Sequence, residues 1–483
     1  MDLSQFGHLS SNIVLWTSTL AALCSAAFAY FRFRWALPVF FIWIAGADFL
    51  KRTLFLGGSS TPTEIEYYWM LALPDLILAA AVLRAGVDAL RNRSIPFRPG
   101  ILDYLVGAFF LWSALEVLNP TFPLIVRLAG FKSSGIYVLV YFLLRAVQQV
   151  DKLWLSRLVP VVGATAVVAS LYALYQSQFG FPSFELDWLE SGLTQLGGGV
   201  QGELGVTIAW FGIVRPFSVF ASHEQLGWYL SFAILLVLVQ WGRRPLGWIL
   251  LALLMITVAR TLSRSSWVFL GLALGFTALL TMMARKRMLA RNAVVGLLLF
   301  IGAIGMWTYI NGRASAENPY LQRATVLGSY EWRIFSFQEV IAEPSWHRLL
   351  GNGIGSMWVA WKLKAPGTLN PDERILSHVG TVDIVYELGI VGLLLFLAII
   401  FTAALMGFRH LRSSSLQGQQ AIGILGVSVV LAVFASNSVV TTILMFRPIA
   451  VIFWAALGIV GAVFRGRVQE VGPLVLQDLQ VRG

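Results

Sequence analysis

Cysteine is almost missing from this chain. Cys24 stands alone among 483 residues, so no disulfide can close within it. Charge is scarce as well: 12% of the residues are charged and 58% hydrophobic, where soluble domains carry roughly 25% and 45–50%. With a mean hydropathy of +0.75, the chain has too little polar surface to cover a water-soluble fold. Its length would suit about three soluble domains, yet no polar half exists and apolar runs extend from end to end. One membrane domain with two large loops is expected instead. The first eleven residues also lack Lys and Arg and carry Asp2 and His8. Without the basic start of a cleavable signal peptide, the first apolar run is expected to remain as a span.

The net charge of +11 does not describe a nucleic-acid-binding face, because the basic residues fall in short clusters between apolar runs. A helical span needs about 20 mostly apolar residues, since every backbone N–H and C=O in lipid must pair within its own segment. By that criterion spans are expected at 12–30, 35–50, 68–83, 101–118, 135–147, 158–178, 216–239, 246–259, 266–284, 292–310, 382–407, 421–436 and 448–464. The predicted fold is therefore all-α: a polytopic transmembrane helical bundle of about 12–13 spans, with a large periplasmic loop that contains short helices. Arg32 and Arg34, the group from Arg84 to Arg98, then Arg145, Lys152 and Arg157, and Arg243 and Arg244, occupy alternate connections. Arg285 to Arg291, Arg409 and Arg412, and Arg465 and Arg467 continue the alternation. Under the positive-inside rule those connections are cytoplasmic, which puts the N-terminus outside and the C-terminus inside.

The same threading divides the chain into N-terminal helices (1–178), an outer loop (179–215), central helices (216–310), a large outer loop (311–381), C-terminal helices (382–464) and a cytoplasmic tail (465–483). The first loop holds Glu185, Asp187, Glu190, Glu203 and the Gly197-Gly198-Gly199 tract. That tract precedes no Lys-Ser/Thr and is not a phosphate-binding P-loop. Glu185 and Asp187 are a weak divalent-metal signal of a kind more often met in a solvated loop. The second loop carries Trp332, Trp346, Trp358 and Trp361, and residues 332–341 read as an amphipathic helix suited to the membrane surface.

Arg215, Arg260 and Arg264 fall at the outer ends of spans, where the positive-inside rule offers them no advantage. Guanidinium presents a fork of donors matched to phosphate oxygens, so these arginines suit an anionic head group or pyrophosphate; interfacial snorkelling is the plainer alternative. His378 lies just before the span at 382 and can exchange a proton near neutral pH, while His223 and His347 are weaker rivals with structural roles as their ordinary reading. Asp75, Glu116, Asp383 and Glu387 lie in or near spans, where carboxylates are costly and often functional. They could relay protons, bind a cation, or pair with buried arginines.

Four fragments in order resemble the bacterial O-antigen ligase and polymerase superfamily. Arg215-Pro216-Phe217-Ser218-Val219-Phe220 resembles its arginine opening a span, and Leu262-Ser263-Arg264-Ser265-Ser266-Trp267 its Ser-Arg-Gly/Ser element. Glu331-Trp332-Arg333 followed by Gly351-Asn352-Gly353-Ile354-Gly355 resembles the large outer loop, with its Arg-led helix and glycine turn. Ser377-His378 followed by Tyr386-Glu387-Leu388-Gly389-Ile390-Val391-Gly392 resembles the end of that loop and the span after it. Val379 stands where the family commonly has Asn, and Ser222-His223-Glu224 replaces its Asn-rich turn. The likeness covers residues 215–408, and the N-terminal half matches only in being hydrophobic.

The resemblance implies a glycosyltransferase in the bacterial inner membrane, needing neither metal nor other cofactor. It would move an undecaprenyl-pyrophosphate-linked glycan, on the periplasmic face and with inversion, to a sugar hydroxyl. The acceptor is either lipid A core (a ligase) or another lipid-linked repeat (an O-antigen or exopolysaccharide polymerase). Arg215 and Arg264 are expected to stabilise the pyrophosphate and His378 to orient or deprotonate the hydroxyl, with Arg260, Arg333 and His223 as substrate-binding residues. Membrane lipids and polysaccharide assembly proteins are the expected partners, nucleic acid not. The competing reading is a secondary transporter of a small anion or other solute that uses the intramembrane carboxylates. It expects broken helices and internal repeats, and no repeat is visible in the sequence. A third, a flippase-like or scaffolding protein, would use the arginines only to anchor lipid head groups.

Overall fold

The computed structural model describes residues 3–56, 62–93, 97–151, 153–191, 214–242, 244–284, 286–312, 349–357, 359–360, 380–411, 417–439 and 447–464. All regular structure among them is helical. In chain order the α-helices are α1 (Leu3–Phe31), α2 (Ala36–Thr53), α3 (Glu64–Arg91), α4 (Ile101–Leu115), α5 (Leu124–Gly130), α6 (Leu139–Val150), α7 (Trp154–Phe179) and α8 (Ser183–Glu190). They continue with α9 (His223–Trp241), α10 (Pro245–Arg260), α11 (Arg264–Met283), α12 (Arg287–Gly312), α13 (Gly380–Leu411), α14 (Gln417–Val439) and α15 (Arg447–Val463). Among the described residues nine helical segments are long and apolar enough to cross a membrane, and four shorter apolar helices accompany them. The chain is a multi-pass membrane protein by that measure.

Connections of only a few residues, such as those between α9 and α10 and between α10 and α11, force successive helices to run antiparallel and give the bundle two ends. One end holds the end of α6 and the end of α15, joined through Arg145 and the Gly461 carbonyl. The other holds the C-terminus of α2, all of α8, the start of α9 and the turn between α10 and α11. At the centre stand α9 and α15. Leu226–Leu238 and Ile449–Ala462 are buried throughout, as expected of helices apolar on every face. Around them, α1, α3 and α4 turn Trp16, Leu20, Leu83 and Leu111 outward, an apolar rim suited to lipid.

Several helices begin or end away from their expected places, each for a physical reason. The N-terminus of α3 lies four residues earlier, at Glu64, because Thr63 and Glu66 form a reciprocal cap: the Thr63 amide donates to Glu66 Oε2 (2.7 Å) and Thr63 Oγ1 accepts from the Glu66 amide (3.3 Å). The expected span at 135–147 extends back to Leu124 through α5, a π-turn at Phe131–Gly135 and a 3-10 turn at Ile136–Val138. Lys132 lies within this run and pairs with Asp75 of α3 (3.4 Å). The expected span at 216–239 opens with non-helical residues, and its helix starts at His223, capped by Ser222.

The apolar run of α13 hides a break at Gly389, whose φ of 68° lies in the left-handed region. The carbonyls freed there have outside donors: Asn352 donates from its backbone N–H (2.8 Å) and its side chain (3.3 Å) to Tyr386 O, and Trp112 Nε1 donates to Leu388 O (2.8 Å). A Cβ at Gly389 would fall 2.3 Å from Leu349 O. Gly389→Ala is therefore expected to destabilise the protein by more than the roughly 1–3 kcal/mol typical of a strained backbone position. Gly86→Ala is the control, since a Cβ there meets nothing within 4 Å. Thermal unfolding in detergent should show a clear drop for Gly389→Ala alone; equal melting of the two variants would contradict this account of the break.

Candidate functional site

Arg215 is buried beside the turn between α10 and α11. Its Nε–H donates to Thr261 O (3.3 Å) and its Nη2 to Leu262 O (3.2 Å). Leu262 itself is held at a φ of 53°, an uncommon conformation for a bulky residue and one that persists only where its surroundings fix it. The next residue, Ser263, caps α11 by accepting from the Ser266 amide (3.3 Å), and its hydroxyl also meets Ser265 (3.0 Å) and Ser266 (2.8 Å). Arg260 is the last residue of α10 and Arg264 the first of α11, so both flank the turn that Arg215 grips.

The start of α9 packs directly on this turn. Ser266 Oγ donates to Glu224 O (3.3 Å), Trp228 Nε1 donates to Ser265 Oγ (3.3 Å), and Trp228 stacks on Phe269 with centroids 4.3 Å apart. Only glycine fits at 227, since a Cβ would lie 2.3 Å from Ser266 Oγ. His223, the first residue of α9, is buried at the same end. Arg215, His223, Arg260 and Arg264 thus belong to one corner of the bundle, built from residues 214–224 and 260–266.

The arginines differ in what holds them. Arg215 is 2% exposed and spends at least two donors on backbone, so its first role is to hold the turn. Arg264 is half-buried and makes no hydrogen bond or ion pair among the described residues. It is a guanidinium fork at a helix N-terminus, where the helix dipole also favours an anion. His378 and Arg333, with His347 and the expected surface helix at 332–341, lie outside the described residues.

A second locus joins the described parts of the other two fragments, residues 351–355 and 386–392. Gly351, Gly353 and Gly355 have φ of 98°, 94° and 85°, and the turn they form lies against the break in α13. The Met357 amide donates to Glu387 Oε1 (3.3 Å), so this intramembrane carboxylate clamps the glycine turn. Of the remaining acids, Asp75 is paired with Lys132 and accepts from Tyr137 (3.0 Å), and Glu116 accepts from Asn119 (3.1 Å).

Arg52 is the residue that sequence reasoning passed over. It is fully buried and binds the Glu185 carboxylate of α8 and the Ser218 carbonyl, with Phe217 4.7 Å from its guanidinium. Ser218, like Leu262, sits at a φ of 53°. Its amide donates to Gln176 Oε1 (2.7 Å) and its hydroxyl to Ala169 O (2.6 Å), while Gln176 Nε2 donates to Glu185 Oε2 (2.7 Å). One available signal was that Lys51 and Arg52 end a span on the side where positive residues are not expected. Glu185 and Asp187 make no metal pair: two residues apart on a helix they face different ways, Glu185 into the core and Asp187 to the exterior.

No family model matches this chain, and no curated protein matches it.

Burial raises the Glu185 carboxyl above the usual carboxylate range, against the pull of Arg52, Gln176 and Tyr172. The native state then takes up this proton before the unfolded chain does, so Glu185's contribution is full below the ordinary glutamate pKa and is lost as pH rises through the raised one. Glu185→Gln should flatten that part of the stability profile. Arg52→Gln should cost about 3–5 kcal/mol by leaving Glu185 buried without its cation, while Arg52→Met combined with Glu185→Leu should cost less than the two single changes added. Unfolding of the purified variants in detergent checks both, and strict additivity would show that the two groups do not act as a pair.

Proposed function

We propose that this protein transfers or polymerises an undecaprenyl-pyrophosphate-linked oligosaccharide at the periplasmic face of a bacterial inner membrane. It acts as an O-antigen or exopolysaccharide polymerase or ligase, with its N-terminus periplasmic and its C-terminus cytoplasmic. The observation that carries the reading is the grip of Arg215 on Thr261 and Leu262. It joins two arginine-bearing fragments that are far apart in sequence, and Arg264 beside that turn makes no hydrogen bond or ion pair among the described residues.

In the proposed reaction the acceptor hydroxyl attacks the anomeric carbon from the face opposite the diphosphate. The sugar–phosphate bond breaks and its electrons pass to the leaving undecaprenyl pyrophosphate. Arg264 neutralises the charge that develops there, with Arg260 and Arg333 assisting, and Arg215 keeps the turn in place. The proton lost by the acceptor goes to His378, and His223 borders the sugar site. Guanidinium groups supply the positive charge without a metal. The acceptor is a lipid-linked repeat or lipid A core, and assembly proteins and membrane lipids are the partners.

Cells lacking the chain, complemented with wild type, Arg264→Lys or His378→Ala at equal membrane abundance, test this. A point charge cannot reproduce the arginine fork, and loss of a general base removes about 10²–10⁴ in rate. Both variants should therefore accumulate lipid-linked single repeats or unattached polymer, the former marking a polymerase and the latter a ligase. Full complementation by both contradicts the reading. A transporter is the second reading, favoured by the broken helix at Gly389; it predicts solute uptake by reconstituted vesicles that Asp75→Asn abolishes.

A further inference from the structure

The glycine turn of residues 351–357 is wedged between two parts of the bundle. On one side lies the break in α13, where a Cβ at Gly351 would fall 2.4 Å from Glu387 O and 2.7 Å from Gly389 N. On the other lies α5, where a Cβ at Gly355 would fall 2.7 Å from Val126 O and one at Gly130 2.4 Å from Gly355 Cα. Backbone meets backbone on both sides, at positions that only glycine fills. Side chains close around the contact: Met357 packs with Val382 and Tyr386 of α13, and Ala360 with Phe122 and Val126. Asn119 Nδ2 donates to Gly351 O (3.3 Å) and the Ala360 amide to Gly355 O (2.8 Å).

Glu387 is buried here and makes no ion pair among the described residues. Its carboxylate accepts instead from the Met357 amide (3.3 Å), with the Gly355 amide beside it. Backbone N–H groups that converge in this way form a concavity for an anion, and in this turn the protein supplies the anion itself. The chain that leaves the turn after Ala360 returns to the bundle at Gly380 and carries His378 between those points. Glu387 lies about two helical turns beyond Gly380, so its bond to Met357 ties the two ends of segment 361–379 to each other. Closing that loop in advance removes freedom that would otherwise be lost when reacting groups are aligned.

We propose that Glu387 is a positioning residue for the transfer reaction: by clamping the glycine turn it fixes both ends of the segment that bears His378. It acts as a hydrogen-bond acceptor for backbone and exchanges no proton with substrate. The role rests on the transfer reading given above. Asn352 shares it, because its amide and its side chain both donate to Tyr386 O (2.8 and 3.3 Å). The diphosphate of the donor belongs to the separate corner that carries Arg264, so loosening the clamp should slow the reaction while leaving the donor bound.

The test compares Glu387→Gln, Glu387→Ala and Asn352→Ala in the purified full-length chain. Turnover is measured in proteoliposomes supplied with an undecaprenyl-pyrophosphate-linked glycan and its acceptor, and amide hydrogen exchange of residues 349–360 is followed in parallel. Glutamine keeps a carbonyl oxygen for the Met357 amide, so Glu387→Gln should stay within about fivefold of wild type in rate. Glu387→Ala should exchange faster over residues 349–360 and lose about 10²-fold in maximal rate. Its half-saturating donor concentration should change less than about threefold. Asn352→Ala should exchange faster and turn over about tenfold more slowly, and it replaces Glu387→Ala if that variant does not fold. Three results overturn the proposal: a folded Glu387→Gln protein slowed about 10²-fold, which marks a carboxylate that transfers a proton; exchange that does not quicken in either alanine variant; or a loosened turn with wild-type turnover. In the last case the transfer reading survives, whereas no turnover by wild type fails that reading and this role with it.

Discussion

Arg52 holds the corner on which the candidate site depends. A guanidinium buried in apolar surroundings must find acceptors within the protein, and it finds them in Glu185, 133 residues away, and in the Ser218 carbonyl, 166 residues away. Those two bonds fasten α8 and the segment after Arg215 to the end of α2. Arg215 then repeats the device three residues earlier by holding Leu262. Each arginine grips the carbonyl of a residue at a φ of 53°, so two strained turns are pinned by buried charge and the N-terminus of α11 is set between them.

The same demand for internal partners organises the rest of the bundle. At the opposite end Arg145 bonds Asp103 (3.0 Å) and the Gly461 carbonyl (2.8 Å), tying α4 and α6 to the end of α15. In α13 the carbonyls released at Gly389 are answered by Asn352 and Trp112. Broken backbone at membrane depth is tolerated only where protein or trapped water takes over its hydrogen bonds, and here the glycine turn and α4 do so.

The helical class and the order of the apolar segments were legible because lipid imposes one length and one composition on every span. Positions where charge enters a helix were not. Lys132 lies inside a span beside Asp75, and Arg145 reads as a basic flank although it is buried against Asp103. Such pairs depend on contacts between distant helices, which no local pattern encodes. At the candidate site the arginines stood out by lying on the wrong side for the positive-inside rule. The partner that positions Arg215 was invisible, since its acceptors are backbone carbonyls and these carry no sequence signal. Glu387 and the glycine turn were both noticed as fragments, but their mutual contact required the break at Gly389.

The proposed reading has Arg264, which makes no hydrogen bond or ion pair among the described residues, serve transfer from a lipid diphosphate. Its most direct test is turnover by the purified chain in proteoliposomes supplied with an undecaprenyl-pyrophosphate-linked glycan and its acceptor. One free undecaprenyl pyrophosphate should appear for each new glycosidic bond, with the rate falling about 10²-fold or more in a folded Arg264→Lys protein. An absence of turnover by wild type, or equal turnover by the variant, would contradict it.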